Sequence, residues 1–183
     1  GWAGWLPDFL LETDYTQYVL YLLMFFVGLS IGGDNKLREI LLRLRFHVLL
    51  VPLATIVGTL LGSALISLVL IDLSFTDCMA VGTGFGYYSL SSVFITQYKG
   101  AEMGTIALIA NIFRELITLL GAPLLVRYFG RLAPICSGGA TTMDTTLPII
   151  TRYSGKDLVF LAVIHGFVVD FTVPFFVTFF CTV

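Results

Sequence analysis

Long runs of apolar residues dominate the chain, and their lengths predict membrane-spanning helices. A helix needs about 20 mainly apolar residues to cross a bilayer. Four stretches meet this condition and carry at most two charged residues each: 15–33, 46–71, 103–126 and 158–183. We therefore predict a continuous spanning helix in each of them.

Two further stretches, 78–98 and 132–151, are long enough to cross but are poorly suited to a continuous helix. The first contains the run GTGFGYYSLS and the second contains SGGATTMDTTLP. Glycine costs about 1 kcal/mol in a helix interior, and Pro148 removes a backbone donor. Non-helical backbone at membrane depth is tolerated only inside protein or beside a watery cavity. We predict two broken or re-entrant helices here; a pair of loops outside the membrane is the alternative.

The composition supports a membrane protein and excludes several other classes. Hydrophobic residues make up 57% of the 183 residues and charged residues only 12%, against roughly 25% charged residues in a soluble domain. Ten Lys and Arg are outnumbered by twelve Asp and Glu, which argues against a nucleic-acid partner. We predict an all-α, polytopic membrane protein of about six membrane segments, with residues 1–183 forming one transmembrane transporter domain in a lipid bilayer.

The basic residues predict an orientation, because Lys and Arg concentrate in cytoplasmic loops. If all six segments cross and the N-terminus lies outside, the inner loops hold seven basic residues and the outer loops hold two. The inner set is Lys36, Arg38, Arg43, Arg45, Lys99, Arg152 and Lys156, and the outer set is Arg127 and Arg131. Both termini are then predicted to lie outside.

A shift of 55 residues aligns the chain with itself. It places FITQYKG over IITRYSG, and seven of the 27 positions from 84 to 110 are identical, where chance gives about two at a random-match rate of roughly 6%. Transporters are often built from such repeats, with binding sites at discontinuous helices. We predict repeat units 78–127 and 133–182; coincidence within a membrane composition is the alternative.

Two acids lie at the centres of predicted helices, and the 55-residue shift superimposes them: Glu115 and Asp170. A charge at the bilayer centre costs about 2.5–3.5 kcal/mol on insertion scales, and such residues indicate a substrate or ion pathway. Asn111 lies four residues before Glu115 and shares its helix face. The alternative for Glu115 is a structural ion pair with a basic group on another helix.

The broken segments supply further candidate ligands. Asp144 among threonines forms an oxygen-rich environment that suits sodium, an ammonium group or a proton relay, although a helix N-cap is an equally good interpretation. The other candidate binding residues are Gly84, Gly86, Tyr88, Ser89, Thr141, Thr142 and Thr145. The glycines would let backbone approach a substrate closely, and Tyr88 could face an ammonium group. His165 is either a proton relay or a packing residue.

Enzyme chemistry is not predicted. The sequence contains no evident nucleophile–base pair, phosphate loop or metal-ligand set, so we predict no catalytic residue and no cofactor, with a sodium ion near Asp144 as the only metal considered. The three cysteines, Cys78, Cys136 and Cys181, show neither disulfide nor zinc spacing.

Four runs resemble the LysO family of bacterial lysine exporters: GFGYYSLS at 84–91, NIFRE at 111–115, GGATTMDTTLP at 138–148 and HGF at 165–167. The resemblance implies a multi-pass secondary transporter of the bacterial inner membrane that exports L-lysine and analogues such as thialysine. It also implies that Glu115 corresponds to an acidic residue important for export. Coupling to a proton or sodium gradient follows by analogy with other secondary transporters.

Members of that family are longer, with extra N-terminal helices. A second copy of the chain or a small membrane partner subunit is therefore expected to complete the exporter. A cation channel, or a sodium/proton antiporter without an organic substrate, is the alternative function.

Overall fold

The computed structural model describes residues 46–183 together with Leu22 and Phe25. The predicted helix at 15–33 and most of the basic segment before residue 46 lie outside the described residues. From residue 46 onward the chain forms helices joined by short connections. The α-helices are α1 (Phe46–Ser67), α2 (Phe75–Gly82), α3 (Tyr88–Lys99), α4 (Ala101–Phe129), α5 (Ala133–Gly138), α6 (Leu147–Ser154) and α7 (Val159–Thr182), and 3₁₀ turns cover Gly139–Met143 and Lys156–Leu158.

Three helical stretches are long and apolar enough to span a membrane. They are Val48–Ser67, Ala101–Phe129 and Lys156–Thr182, with mean hydropathies of 2.2, 1.6 and 2.0. Many of their large apolar side chains are exposed, as at Leu120 and Phe129, which suits contact with lipid. Three of the four predicted continuous helices are thus confirmed in length and composition, and the chain is a multi-pass membrane protein.

The first broken segment is a helical hairpin, which we call hairpin 1 (residues 75–99). A capping box at Ser74 and Asp77 begins α2. Asp77 in the first turn of α2 forms an ion pair with Lys99 in the last turn of α3, at 3.2 Å. The two ends of the segment therefore lie together, and residues 83–87 form its tip.

The ion pair at the base of hairpin 1 also changes the acidity of its carboxylate. Burial raises the pKa of Asp77, but hydrogen bonds from Ser74 and Lys99 and the positive charge of Lys99 outweigh it, so the pKa lies below its ordinary value. The carboxylate therefore stays charged, and the base stays closed, at any ordinary pH.

The second broken segment is a hairpin of the same kind, hairpin 2 (residues 133–154). Arg131, just before α5, donates to the carbonyl of Ser154 at the end of α6, at 2.6 Å, and it pairs with Asp157. The base of hairpin 2 is therefore closed like that of hairpin 1, and residues 139–146 form the tip.

The long helices connect the bases of the two hairpins. Gly100 alone separates hairpin 1 from α4, and α4 ends just before hairpin 2. α7 begins just after hairpin 2 and brings Cys181 into electrostatic range of Asp77 and Lys99 at the base of hairpin 1. α4 and α7 therefore run in opposite directions, and the hairpins enter from opposite ends of the bundle.

Both predicted interruptions are thus present, as closed hairpins. The order of hairpin, glycine and long helix occurs twice, and the two glycines, Gly100 and Gly155, have positive φ of 91° and 105°. Those glycines are superimposed by the 55-residue shift, but the internal repeat itself stays a prediction, as does the count of six crossing segments.

Candidate functional site

The tips of the two hairpins meet in the middle of the bundle. The backbone N–H of Ala140 donates to the carbonyl of Phe85 at 2.9 Å. A Cβ added at Gly86 would lie 3.1 Å from the carbonyl oxygen of Gly138, and one at Gly139 would collide with the carbonyl of Phe85. Glycine at these positions lets one tip approach the other. The close approach predicted for the backbone at Gly86 is therefore an approach to hairpin 2 of the protein itself.

Arg114, near the middle of α4, connects the tips to two long helices. Its Nε donates to the carbonyl of Ser137 at 2.9 Å and its Nη2 to that of Cys136 at 3.2 Å. Its Nη1 donates to Thr59 on α1 at 3.2 Å. The C-terminal end of a helix carries partial negative charge, so the guanidinium stabilises the end of α5. It also lies 5.8 Å from the centre of the Phe85 ring.

Asn111 fixes the tip of hairpin 1. Its Nδ2 donates to the carbonyls of Val81 at 3.1 Å and Ala107 at 2.9 Å, and its Oδ1 accepts from the N–H of Gly86 at 2.8 Å. A Cβ at Gly84 would lie 2.5 Å from this amide. The polar atoms of Asn111 are therefore used to position the tip.

Two carboxylates and a phenol come together on the α7 side of the tips. Asp170 is only 8% exposed, and its Oδ1 is buried with no hydrogen-bond partner. Asp144, at the tip of hairpin 2, and Tyr87, at the tip of hairpin 1, both interact electrostatically with Asp170. We call Tyr87, Asp144 and Asp170 the acidic cluster.

Asp144 does not cap the helix that follows it. The N-cap of α6 is Thr146, which makes no capping hydrogen bond through its side chain. Asp144 is exposed, and its Oδ1 accepts from the backbone and the hydroxyl of Thr145. The N-cap interpretation is therefore wrong, and the other oxygen of Asp144 makes no hydrogen bond with the described residues.

His165 forms a buried hydrogen-bonded chain between α1, hairpin 2 and α7. Its Nε2 lies 2.8 Å from the hydroxyl of Thr55, and its Nδ1 lies 3.1 Å from that of Thr142. Thr142 also contacts the carbonyls of Gly139 and Ala162. His165 is fully buried, so this arrangement fixes hairpin 2 against α7 and favours the packing interpretation of the histidine.

The remaining candidates lie around the tips. The hydroxyl of Thr141 donates to the carbonyl of Gly138 at 2.9 Å, while Tyr88 and Ser89 are exposed. Glu115 is partly exposed. Within the described residues Glu115 forms no ion pair or hydrogen bond, so the structural ion pair considered for it is not observed there.

A metal site receives limited support. Within residues 46–183 there is no group of three or more His, Cys, Asp or Glu side chains that could hold a metal ion. Two carboxylates with nearby hydroxyls and carbonyls still form an oxygen-rich set of the kind that hard cations prefer.

The comparison with protein families decides the identity of the chain. The family model described as "Lysine exporter LysO" matches residues 1–181. The chain belongs to the LysO family.

Two relatives show how similar the chain is in sequence to named proteins. The lysine exporter LysO of Escherichia coli strain K12 is 36% identical over 169 residues, which cover 92% of this chain and 55% of that protein. A Haemophilus influenzae protein named "Putative lysine exporter" is 34% identical over 182 residues, which cover 97% of this chain and 90% of that protein. The chain therefore spans about half the length of the E. coli relative. No solved structure matches it.

Membership of the LysO family confirms the resemblance found in the four sequence runs. The site contains residues that the sequence analysis did not select, above all Arg114 on α4. A signal for it was present, because an arginine at the centre of an apolar helix is as costly as an acid there.

Proposed function

We propose that this LysO-family chain takes part in exporting L-lysine, and analogues such as thialysine, across the bacterial inner membrane by secondary transport. Support comes from the LysO family and from its two relatives, which are named as a lysine exporter and a putative lysine exporter. A family of exporters is not a class of enzymes, and we assign no catalytic residue and no cofactor.

The acidic cluster carries the proposal. Asp170 lies in the middle of a membrane-spanning helix, with one carboxylate oxygen buried and unpaired. An uncompensated buried charge is costly, and among the described residues no basic side chain pairs with Asp170 or Asp144. A travelling cation supplies the missing charge, as the side-chain ammonium of lysine or as the coupling ion.

Two neighbouring acids also suit exchange. When the ammonium leaves, the like charges of Asp144 and Asp170 repel each other and favour uptake of a proton or a sodium ion in its place. The cluster thereby couples lysine export to an inward gradient. Glu115, partly exposed on α4 and unpaired among the described residues, is proposed as a second cation contact on the pathway.

Replacing Asp170 by Asn tests this assignment. The variant keeps the shape of the side chain but loses its charge, so we expect counterflow of labelled lysine in proteoliposomes to fall by at least about tenfold, in line with the loss of a charge-assisted contact. Asp72→Asn is the matched control, because Asp72 is exposed and lies between α1 and α2.

Three outcomes separate the hypotheses. Full lysine counterflow in Asp170→Asn would remove Asp170 from the pathway. Sodium or proton flux without any lysine exchange in the wild type would favour the antiporter alternative. Loss of counterflow in both variants would point to a general loss of fold.

Assembly is also part of the proposal. We propose that the chain works together with a second copy of itself or with a small membrane subunit. The exposed apolar face of α1, with Leu53, Leu61 and Leu65, suits such a partner within the membrane.

Each hairpin returns to the side of the membrane from which it enters. The loops therefore lie on different sides of the membrane from those that six crossing segments predict. Among the described residues, four basic residues, Arg127, Arg131, Arg152 and Lys156, lie around the base of hairpin 2, while the base of hairpin 1 has only Lys99. By the positive-inside tendency, we propose that the base of hairpin 2 is cytoplasmic and that the C-terminus lies outside. Lys99 then moves outside, and Arg127 and Arg131 move inside.

Cysteine labelling distinguishes the two topologies. In a variant that lacks the native cysteines, we place single cysteines at Glu102, Arg127 and Arg152, which are all exposed. A membrane-impermeant maleimide applied from outside is expected to label position 102 and to spare 127 and 152 until the membrane is permeabilised. Six crossing segments predict that 127 and 152 lie on opposite sides, so labelling of 127 alone would overturn the hairpin topology.

A further inference from the structure

A cavity of about 480 Å³ lies between α1, α2 and α4, next to the hairpin tips. Most of its lining is apolar, and its polar residues are Thr59, Ser63, Asn111, Arg114 and Ser137. Arg114 is the only charged residue among the described residues that line it. The cavity therefore has a positive charge at its wall, whereas the acidic cluster lies against α7.

The guanidinium of Arg114 has hydrogen-bonding capacity to spare. It carries five N–H donors, and three partners engage it: Ser137, Cys136 and Thr59. Among the described residues no carboxylate forms an ion pair with it. A positive charge inside the bundle that is compensated only by carbonyl dipoles favours an added anion.

Ser63 supplies a second, independent indication. Its side chain is 9% exposed and lines the cavity, and its hydroxyl forms no hydrogen bond with the described residues. A hydroxyl at the cavity wall with no partner among the described residues is free to donate to a ligand or to water.

We infer that this cavity binds the α-carboxylate of the amino-acid substrate, with the free N–H groups of Arg114 and the hydroxyl of Ser63 as donors. The inference rests on the proposed function and narrows it. The cavity makes the exporter selective for amino acids over simple diamines, because a diamine has no negative group to meet Arg114.

Competition in the wild-type protein tests this selectivity directly. In proteoliposomes that exchange labelled lysine, unlabelled lysine is compared with lysinamide, whose carboxylate is replaced by a neutral amide, and with cadaverine, which lacks it. We expect both analogues to compete at least about tenfold more weakly than lysine, since each loses a charge-assisted hydrogen bond.

A pair of glycine variants on α1 tests the location of the site. Gly62 lines the cavity and Gly58 does not, and a Cβ at either position meets nothing within 4 Å. Gly62→Leu is expected to fill the cavity and to weaken lysine exchange by about tenfold or more. Gly58→Leu makes the same chemical change about one helical turn before Gly62, at a position that does not line the cavity, and is expected to exchange lysine like the wild type.

The outcomes keep the two proposals apart. If the wild type exchanges no lysine, either alone or with a copurifying membrane partner, the proposed function fails. If it exchanges lysine but lysinamide competes equally well, or Gly62→Leu exchanges normally, the carboxylate site is wrong and lysine export stands. The unfolding temperatures of both variants in detergent show whether Gly62→Leu is folded. If it is not folded, the competition experiment in the wild type alone tests the carboxylate site.

Discussion

Replacing Arg114 by Met is expected to destabilise the protein strongly. The variant removes three hydrogen bonds and leaves the carbonyls of Cys136 and Ser137 at the end of α5 without their donor. Each carbonyl left without its donor costs roughly 1–3 kcal/mol, which for two carbonyls in a chain of this length lowers the unfolding temperature by about 10 °C. Thermal unfolding of the purified protein in detergent measures this shift, and lysine counterflow is expected to disappear with it.

Arg127→Met is the matched control for Arg114→Met. Arg127 lies on the same helix, is exposed, and contacts only the ring of its neighbour Tyr128 in the described structure. A surface substitution of this kind changes stability by less than about 0.5 kcal/mol. Equal unfolding temperatures for the two variants would show that the contacts of Arg114 contribute nothing to the meeting of the hairpin tips.

The sequence predicted the long helices and the interruptions because both depend on local chemistry. Apolar runs of membrane length with very few charged residues determine α1, α4 and α7, and glycines with hydroxyl residues mark the breaks. The closing of the hairpins was not predictable in the same way. It depends on the ion pairs of Asp77 with Lys99 and of Arg131 with Asp157, and in the sequence these residues look like ordinary loop charges.

Only part of the candidate site was predictable, because several of its contacts join residues that are far apart in the sequence. Asp170 stood out through its cost at membrane depth and Asp144 through its threonine neighbours, but the two interact only when the tip of hairpin 2 packs against α7. Asn111 was grouped with Glu115 by helix periodicity. Its amide instead binds backbone of hairpin 1, a contact between residues 25 and 30 positions apart that no local pattern contains.

Gly139→Ala is expected to separate the hairpin tips. Gly139 has φ of 61°, and an added Cβ would collide with the carbonyl of Phe85 and lie 3.4 Å from Nε of Arg114. Because the obstacle is backbone, relief requires the tips to move apart and to lose the hydrogen bond from Ala140 to Phe85. We expect a loss of more than about 4 kcal/mol, in the range of exceptional single substitutions, together with loss of lysine counterflow.

Gly130→Ala separates this collision from simple backbone strain. Gly130 also has positive φ, at 90°, but a Cβ there meets nothing within 4 Å. Its substitution therefore costs only the conformational strain of about 1–3 kcal/mol that both variants share. If the two variants unfold at the same temperature, the contact between Gly139 and Phe85 does not hold the tips together. If only Gly139→Ala loses both stability and counterflow, both properties depend on the contact between the hairpin tips.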